Sequence, residues 1–269
     1  MDDPLDDVVQ HYEGVTEEDR LTAGLHQLEL LRTQEILTRY LPPAPARIID
    51  IGGATGVHAR WLAEAGFRVH IVDVTPRHVA KAKEDLVRLR VTAEIGDARH
   101  LPAETASYDI ALLLGPLYHL PSRADRLAAL EEVRRVVRPG GLVAVAGISR
   151  FASLFDGLAR GFLFDPDFRE VVTRDLADGR HENPRDRPHW FTTAYFHLAA
   201  DLRKEAEEAG LFVDGVYGVE GLAGWLPHLA DRWESEEDRQ TILESARVIE
   251  NEPTLMGLSA HLLLVAYAP

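Results

Sequence analysis

A chain of 269 residues with 46% hydrophobic and 27% charged side chains has the composition of a globular protein with a buried core, divided into one large domain or two small ones. Its 29 Lys and Arg against 44 Asp and Glu leave a net charge of −15, which repels phosphate backbones and anionic lipid and argues against nucleic-acid or membrane partners. There is no cysteine, so disulfides, thiolate zinc sites, iron–sulfur clusters and cysteine nucleophiles are excluded.

Residues 1 to about 15 are acidic and lack apolar periodicity, so a loose arm is expected there, followed by a capping box at Thr16 and Asp19. The N-terminus lacks the basic start of a signal peptide, and no apolar run spans a bilayer; a cytoplasmic location is expected. Leu21, Leu25, Leu28 and Leu31 recur at helical spacing until Pro42-Pro43 stops the helix.

A regular alternation follows. Strands are expected at Arg47–Ile51, Arg68–Val74, Val91–Ile95, Tyr108–Leu114 and Leu142–Ile148. Helices are expected at Thr55–Ala65, from Pro76 to about Arg90, and after a second capping box at Ser122 and Asp125. Residues 149–192 break this rhythm, being rich in Phe, Arg, Asp and Pro with weak helical period. A helix at about Ala199–Ala209, a strand at Leu211–Val219, a mostly helical stretch at 222–257 and a last strand at Ala260–Ala268 complete the chain. The pattern predicts an α/β protein with a doubly wound, seven-stranded sheet, an N-terminal helical arm and two late helical insertions.

The sharpest motif is Asp50-Ile51-Gly52-Gly53-Ala54-Thr55-Gly56, small residues between a strand and a helix, where the backbone can approach a ligand closely. It fits a dinucleotide fingerprint poorly, because Val57 stands at the third glycine position and Asp50 would repel a pyrophosphate. A carboxylate there suits a cationic or hydroxyl-bearing ligand.

This motif resembles motif I of the class I S-adenosylmethionine-dependent methyltransferases, with Asp50, Gly52 and Gly56 matching, Ala54 replacing a glycine and Gly53 extra. The resemblance implies a Rossmann-like fold with S-adenosylmethionine as cofactor, its amino-acid end beside this loop and Asp50. It places Asp73, followed by Val74, on the ribose hydroxyls, and Asp97-Ala98 at the adenine. Leu113 to Leu120 then closes the pocket, and the Arg138-Pro139-Gly140-Gly141 turn also resembles the family. Beside the methyl, His119 is a candidate base and Tyr118 a candidate packing residue. From the N-terminal segment, Tyr12 could fold over the cofactor and Arg20 could pair with its carboxylate, whereas Arg32 is expected in surface ion pairs. The aromatic run His189 to His197 could line an acceptor pocket, and Trp225, His228 and Trp233 could be pocket wall or subunit contact.

No His-Glu-x-x-His arrangement occurs and no carboxylate cluster joins the histidines, so no metal site is expected. The Asp/Asn-Pro-Pro-Tyr loop of amino-group DNA methyltransferases is absent as well. The resulting expectation is methyl transfer to a small molecule at O, N or C, of the kind that tailors specialised metabolites, with a homodimer left open. The alternatives are an NAD(P)-dependent oxidoreductase and a non-catalytic S-adenosylmethionine-binding protein. The expected division is an arm and helix at 1–46, a cofactor-binding half at 47–148, a cap at 149–197 and the rest of the core at 198–269.

Overall fold

The structure, a computed structural model, describes residues 26–183, 187 and 190–269. Tyr12, Arg20, the Thr16 capping box and His189 lie outside the described residues. The chain enters with helix α1 (His26–Thr38) and then alternates β1 (Arg47–Ile51), α2 (Val57–Glu64), β2 (Arg68–Asp73), α3 (Pro76–Asp85) and β3 (Val91–Ile95). Next come β4 (Tyr108–Leu113), α4 (Arg123–Val136) and the long β5 (Val137–Ser149). Helices α5 (Ala152–Arg160) and α6 (Pro166–Asp178) precede the short strands β6 (Arg180–His181) and β7 (Ala194–His197). The core resumes with α7 (Ala199–Glu208) and β8 (Phe212–Gly218), passes through α8 (Leu229–Trp233) and α9 (Glu236–Ile249), and ends in β9 (His261–Tyr267).

The central sheet has the order β3-β2-β1-β4-β5-β9-β8, parallel from β3 to β5, with β9 antiparallel to both neighbours. These are the seven strands read from the sequence; β7 and β6 extend the sheet beyond the carboxyl end of β5. Alternation along each strand sends side chains to opposite faces. Ile49, Ala111 and Leu113 join α4 and α7 on one face, while Ile48, Ile110 and Leu112 join α1, α2 and α3 on the other. Both faces are covered, which is why these strands read as unbroken apolar runs.

The structure corrects several expectations. Ser122 precedes α4 but its side chain makes no capping bond, so no second capping box forms. The Pro139–Gly141 corner is taken into β5 as an irregularity between the Tyr108 and Ile110 pairings. Residues 149–192 contain two full helices, α5 and α6. Asp165 caps the second by accepting from the Asp167 amide at 2.9 Å, Pro166 opens it, and Gly179 closes it in the left-handed conformation. Arg32 is not on the surface: it is wholly buried and donates to Glu35, Glu250 and the Val219 carbonyl, tying α1 to the ends of α9 and β8.

Candidate active site

At the carboxyl end of β1 the Gly52 amide still donates to the Val72 carbonyl at 2.7 Å, and then the chain turns sharply. Gly52, Ala54 and Gly56 have φ of 71°, 46° and 91°. A Cβ on Gly52 would stand 2.4 Å from the Pro116 ring, and one on Gly53 would stand 2.6 Å from Asp50 Oδ2. The missing side chains therefore let the Asp50 carboxylate and the turn after β4 close on the loop. Gly56 faces Leu86 and Ile71 and opens α2, behind the loop.

Three carboxylates meet this loop, each in a different state. Asp50 is 1% exposed, and its Oδ2 has no hydrogen-bond partner among the described residues. Burial, with the Asp73 charge adding to it, pushes the Asp50 carboxyl up to about 7. Asp73 is anchored: Oδ2 accepts from the Ala54 amide at 3.0 Å and Oδ1 from the Thr75 amide at 2.9 Å, with His78 Nδ1 at 3.4 Å. Asp97 is forked by its near neighbour, accepting from Arg99 Nε at 2.9 Å and Nη2 at 2.7 Å, with the Arg99 amide on its other oxygen.

One cavity gathers these groups. Gly52, Gly53 and Ala54 line it from the β1 turn, Asp73 and Val74 from β2, and Asp97 and Ala98 from the turn after β3. Leu114, Tyr118 and His119 close it after β4. Tyr118 hangs its hydroxyl on the Leu114 carbonyl at 3.4 Å, and its ring lies 4.8 Å from that of His119. His119 is 5% exposed and stacks on Phe191 at 6.0 Å, but no described residue of the aromatic run lines the cavity itself. Trp225 instead donates to the Leu258 carbonyl and packs on Phe155, Trp233 donates to Gln27, and His228 is exposed.

The loop carrying His119 is held from below. Buried Arg126 of α4 donates to the Leu120 and Pro121 carbonyls at 3.0 and 2.9 Å, forks Glu205 of α7, and lies 3.5 Å from the centre of the Tyr195 ring. Burial opposes ionisation of Glu205, yet hydrogen bonds from His197 and Arg126 outweigh it and hold the carboxyl at about 2.

The sequence reading missed the far wall. Glu29 and Thr33 of α1, Val219 after β8, and His261 and Leu262 of β9 also line the cavity. Here a carboxylate cluster does join a histidine: donor atoms of Glu29, Glu220 and His261 lie within 4.8 Å of one another. His261 Nδ1 is engaged with Glu220 Oε1 at 2.5 Å, a hydrogen bond and not an open ligand position. No metal is assigned to it.

The cavity fits a cofactor with a cationic end and a diol. A buried, unpartnered carboxylate oxygen at Asp50 asks for a donor, and a bound cation would stabilise its ionised form. Asp73 retains lone pairs for hydroxyl donors beyond the two amides it already accepts.

Residues 48–141 match the family model described as a methyltransferase domain. The chain is 33% identical over 122 residues to methyltransferase GfsG of Streptomyces halstedii, covering 43% of this chain and 42% of that one. It is 26% identical over 198 residues to a ubiquinone biosynthesis O-methyltransferase of Xanthomonas axonopodis pv. citri, covering 72% and 74%. An S-adenosylmethionine-dependent methyltransferase structure from Mesorhizobium loti superposes with a TM-score of 0.61 at 17% identity, over 89% of this chain and 99% of that one. Residues 48–141 thus carry a methyltransferase domain of the class I S-adenosylmethionine-dependent kind, with S-adenosylmethionine as its cofactor, and the chain spans less than half the length of the first of these relatives. Among the described residues no helix is long and apolar enough to cross a membrane.

Proposed function

We propose that the protein transfers a methyl group from S-adenosylmethionine to a small-molecule acceptor. The observation that carries this reading is the orphaned Asp50 carboxylate at the glycine turn, inside a cavity that continues to a second, histidine-bearing wall. When bound, the cofactor supplies an electrophilic methyl carbon on a sulfonium. Asp50 meets the amino-acid end of the cofactor, and the turn Gly52–Gly56 lets the backbone approach it. Asp73 takes the ribose hydroxyls and Asp97-Ala98 borders the adenine. Tyr118 and His119 touch the acceptor beside the methyl, and Phe191 backs the His119 ring. In-line transfer needs chiefly alignment, which a wall braced by Arg126 provides.

A small acceptor is supported by the concave cavity that runs from the glycine turn to β9 and by the net charge of −15, which disfavours a nucleic acid. The oxidoreductase alternative is disfavoured by Asp50, which would confront a pyrophosphate with a buried carboxylate. Calorimetry with S-adenosylmethionine and S-adenosylhomocysteine is the first test, followed by an acceptor screen in which mass spectrometry detects the gain of one CH2 unit. Binding of a nicotinamide dinucleotide in place of both would overturn the reading. Binding of both with no methylated product across the screen would favour a non-catalytic cofactor-binding protein.

A further inference from the structure

Three strands over from the glycine turn, at the start of β9, the cavity wall contains a buried relay. Ser259 is wholly buried between α9 and β9. Its Oγ accepts from the Glu220 and Gly221 amides at 2.9 and 3.2 Å and donates to Glu220 Oε2 at 2.7 Å. The His261 amide donates to the same oxygen at 3.0 Å. Glu220, 4% exposed, is thereby fixed with its other oxygen on His261 Nδ1. Glu29 of α1 adds a second carboxylate, 3.9 Å from that nitrogen. His261 itself opens β9 opposite Ile148, at the carboxyl edge of the sheet, and lines the cavity.

A carboxylate on Nδ1 fixes the tautomer that carries its hydrogen there and leaves Nε2 as the basic nitrogen. The same carboxylate stabilises the imidazolium once a proton arrives. We infer that His261 is the general base for a hydroxyl acceptor and that Glu220 is its positioning residue. The inference rests on the methyl-transfer reading. In the step, a lone pair of the acceptor oxygen forms the bond to the methyl carbon while the carbon–sulfur pair withdraws onto sulfur and cancels its positive charge. The O–H electrons stay on the acceptor oxygen, and its proton passes to His261 Nε2. Among the described residues, the charged groups facing this imidazole are Glu220 and Glu29.

The test uses 4-nitrocatechol, whose absorbance reports its ionisation, with the full chain saturated with S-adenosylhomocysteine. Below the probe's own ionisation pH, binding should turn it to the coloured anion. His261→Ala and His261→Asn should abolish that change, the second while keeping a donor for Glu220. Glu220→Gln should keep it only at higher pH, a shift that loss of packing alone would not give. With S-adenosylmethionine, both His261 variants should lose about 10²–10⁴-fold in turnover of the same probe at unchanged cofactor affinity. Ionisation that persists in both His261 variants, or that is lost in His119→Ala instead, overturns the assignment. So does failure of the probe to bind, or ionisation that requires added magnesium. Failure of S-adenosylhomocysteine to bind in calorimetry would instead refute the underlying methyl-transfer reading.

Discussion

Asp50 and Asp73 end neighbouring parallel strands, and the charge on Asp73 adds to burial in keeping Asp50 protonated up to about 7. Without ligand, native Asp50 holds a proton between about 4 and 7 that the unfolded chain has already lost, so this residue makes stability fall as pH rises through that window. Urea midpoints at the two ends of the window should show the fall, and Asp50→Asn should flatten it. A cationic ligand favours the carboxylate, so S-adenosylmethionine should bind with proton release near neutral pH and more tightly above it. Calorimetry in buffers of different ionisation enthalpy measures that release, and its absence would remove Asp50 from the ligand's charged end.

Asp73→Ala should weaken S-adenosylmethionine binding at least about tenfold, since charge-assisted hydrogen bonds are worth roughly 1.5–3 kcal/mol each. Asp97→Ala should cost less, because its carboxylate is already occupied by Arg99. Equal losses in the two variants would contradict this ranking.

Gly53 has no left-handed backbone requirement, so Gly53→Ala should fold. Its methyl group would press on Asp50 Oδ2, so the melting temperature should fall and, in the protein that remains folded, cofactor affinity should drop by more than about tenfold. Retained affinity would mean that Asp50 can swing aside without harm.

His119→Ala should lower turnover by up to about 10²-fold through misplacement of the acceptor, with cofactor affinity nearly intact. His119→Asn should recover part of this if the ring serves mainly to orient. A larger loss in both variants that follows the histidine ionisation would make His119 the proton acceptor.

Arg126→Met strips a buried carboxylate of its fork and should destabilise the protein by about 3–5 kcal/mol, with much of that regained when Glu205→Met is added. In the wild type, the depressed Glu205 carboxyl contributes stability above its unfolded value of 4.5 that is lost as pH falls toward about 2. Acid unfolding should therefore shift when Glu205→Gln is compared with wild type. Urea melts on the single and double variants report both effects.

The Rossmann-like half was legible because each of its signals is local. Apolar runs mark strands buried on both faces, and the acid before the glycines stands at a strand end whatever the tertiary context. Helices α5 and α6 were obscured by their mixed composition, although Asp165-Pro166 and the closing glycines Gly161 and Gly179 carried the ordinary punctuation of helix ends. Arg32 could not be placed from sequence, since its partner Glu250 is 218 residues away and its burial depends on α9. Glu220 and His261 are likewise 41 residues apart, and neither interrupts a periodic pattern. Their pairing is a product of sheet register.

Strand β9 is last in sequence yet lies inside the sheet, between β5 and β8. During synthesis, the glycine turn and its acids can assemble while Leu142–Ile148 still offers a bare apolar edge to any passing strand. Only when the segment from His261 onward leaves the ribosome can it slot into that gap, bringing the His261 and Leu262 side of the cavity with it. The order of translation thus builds the glycine-turn half first and withholds the Glu220–His261 wall until the open edge of β5 is sealed.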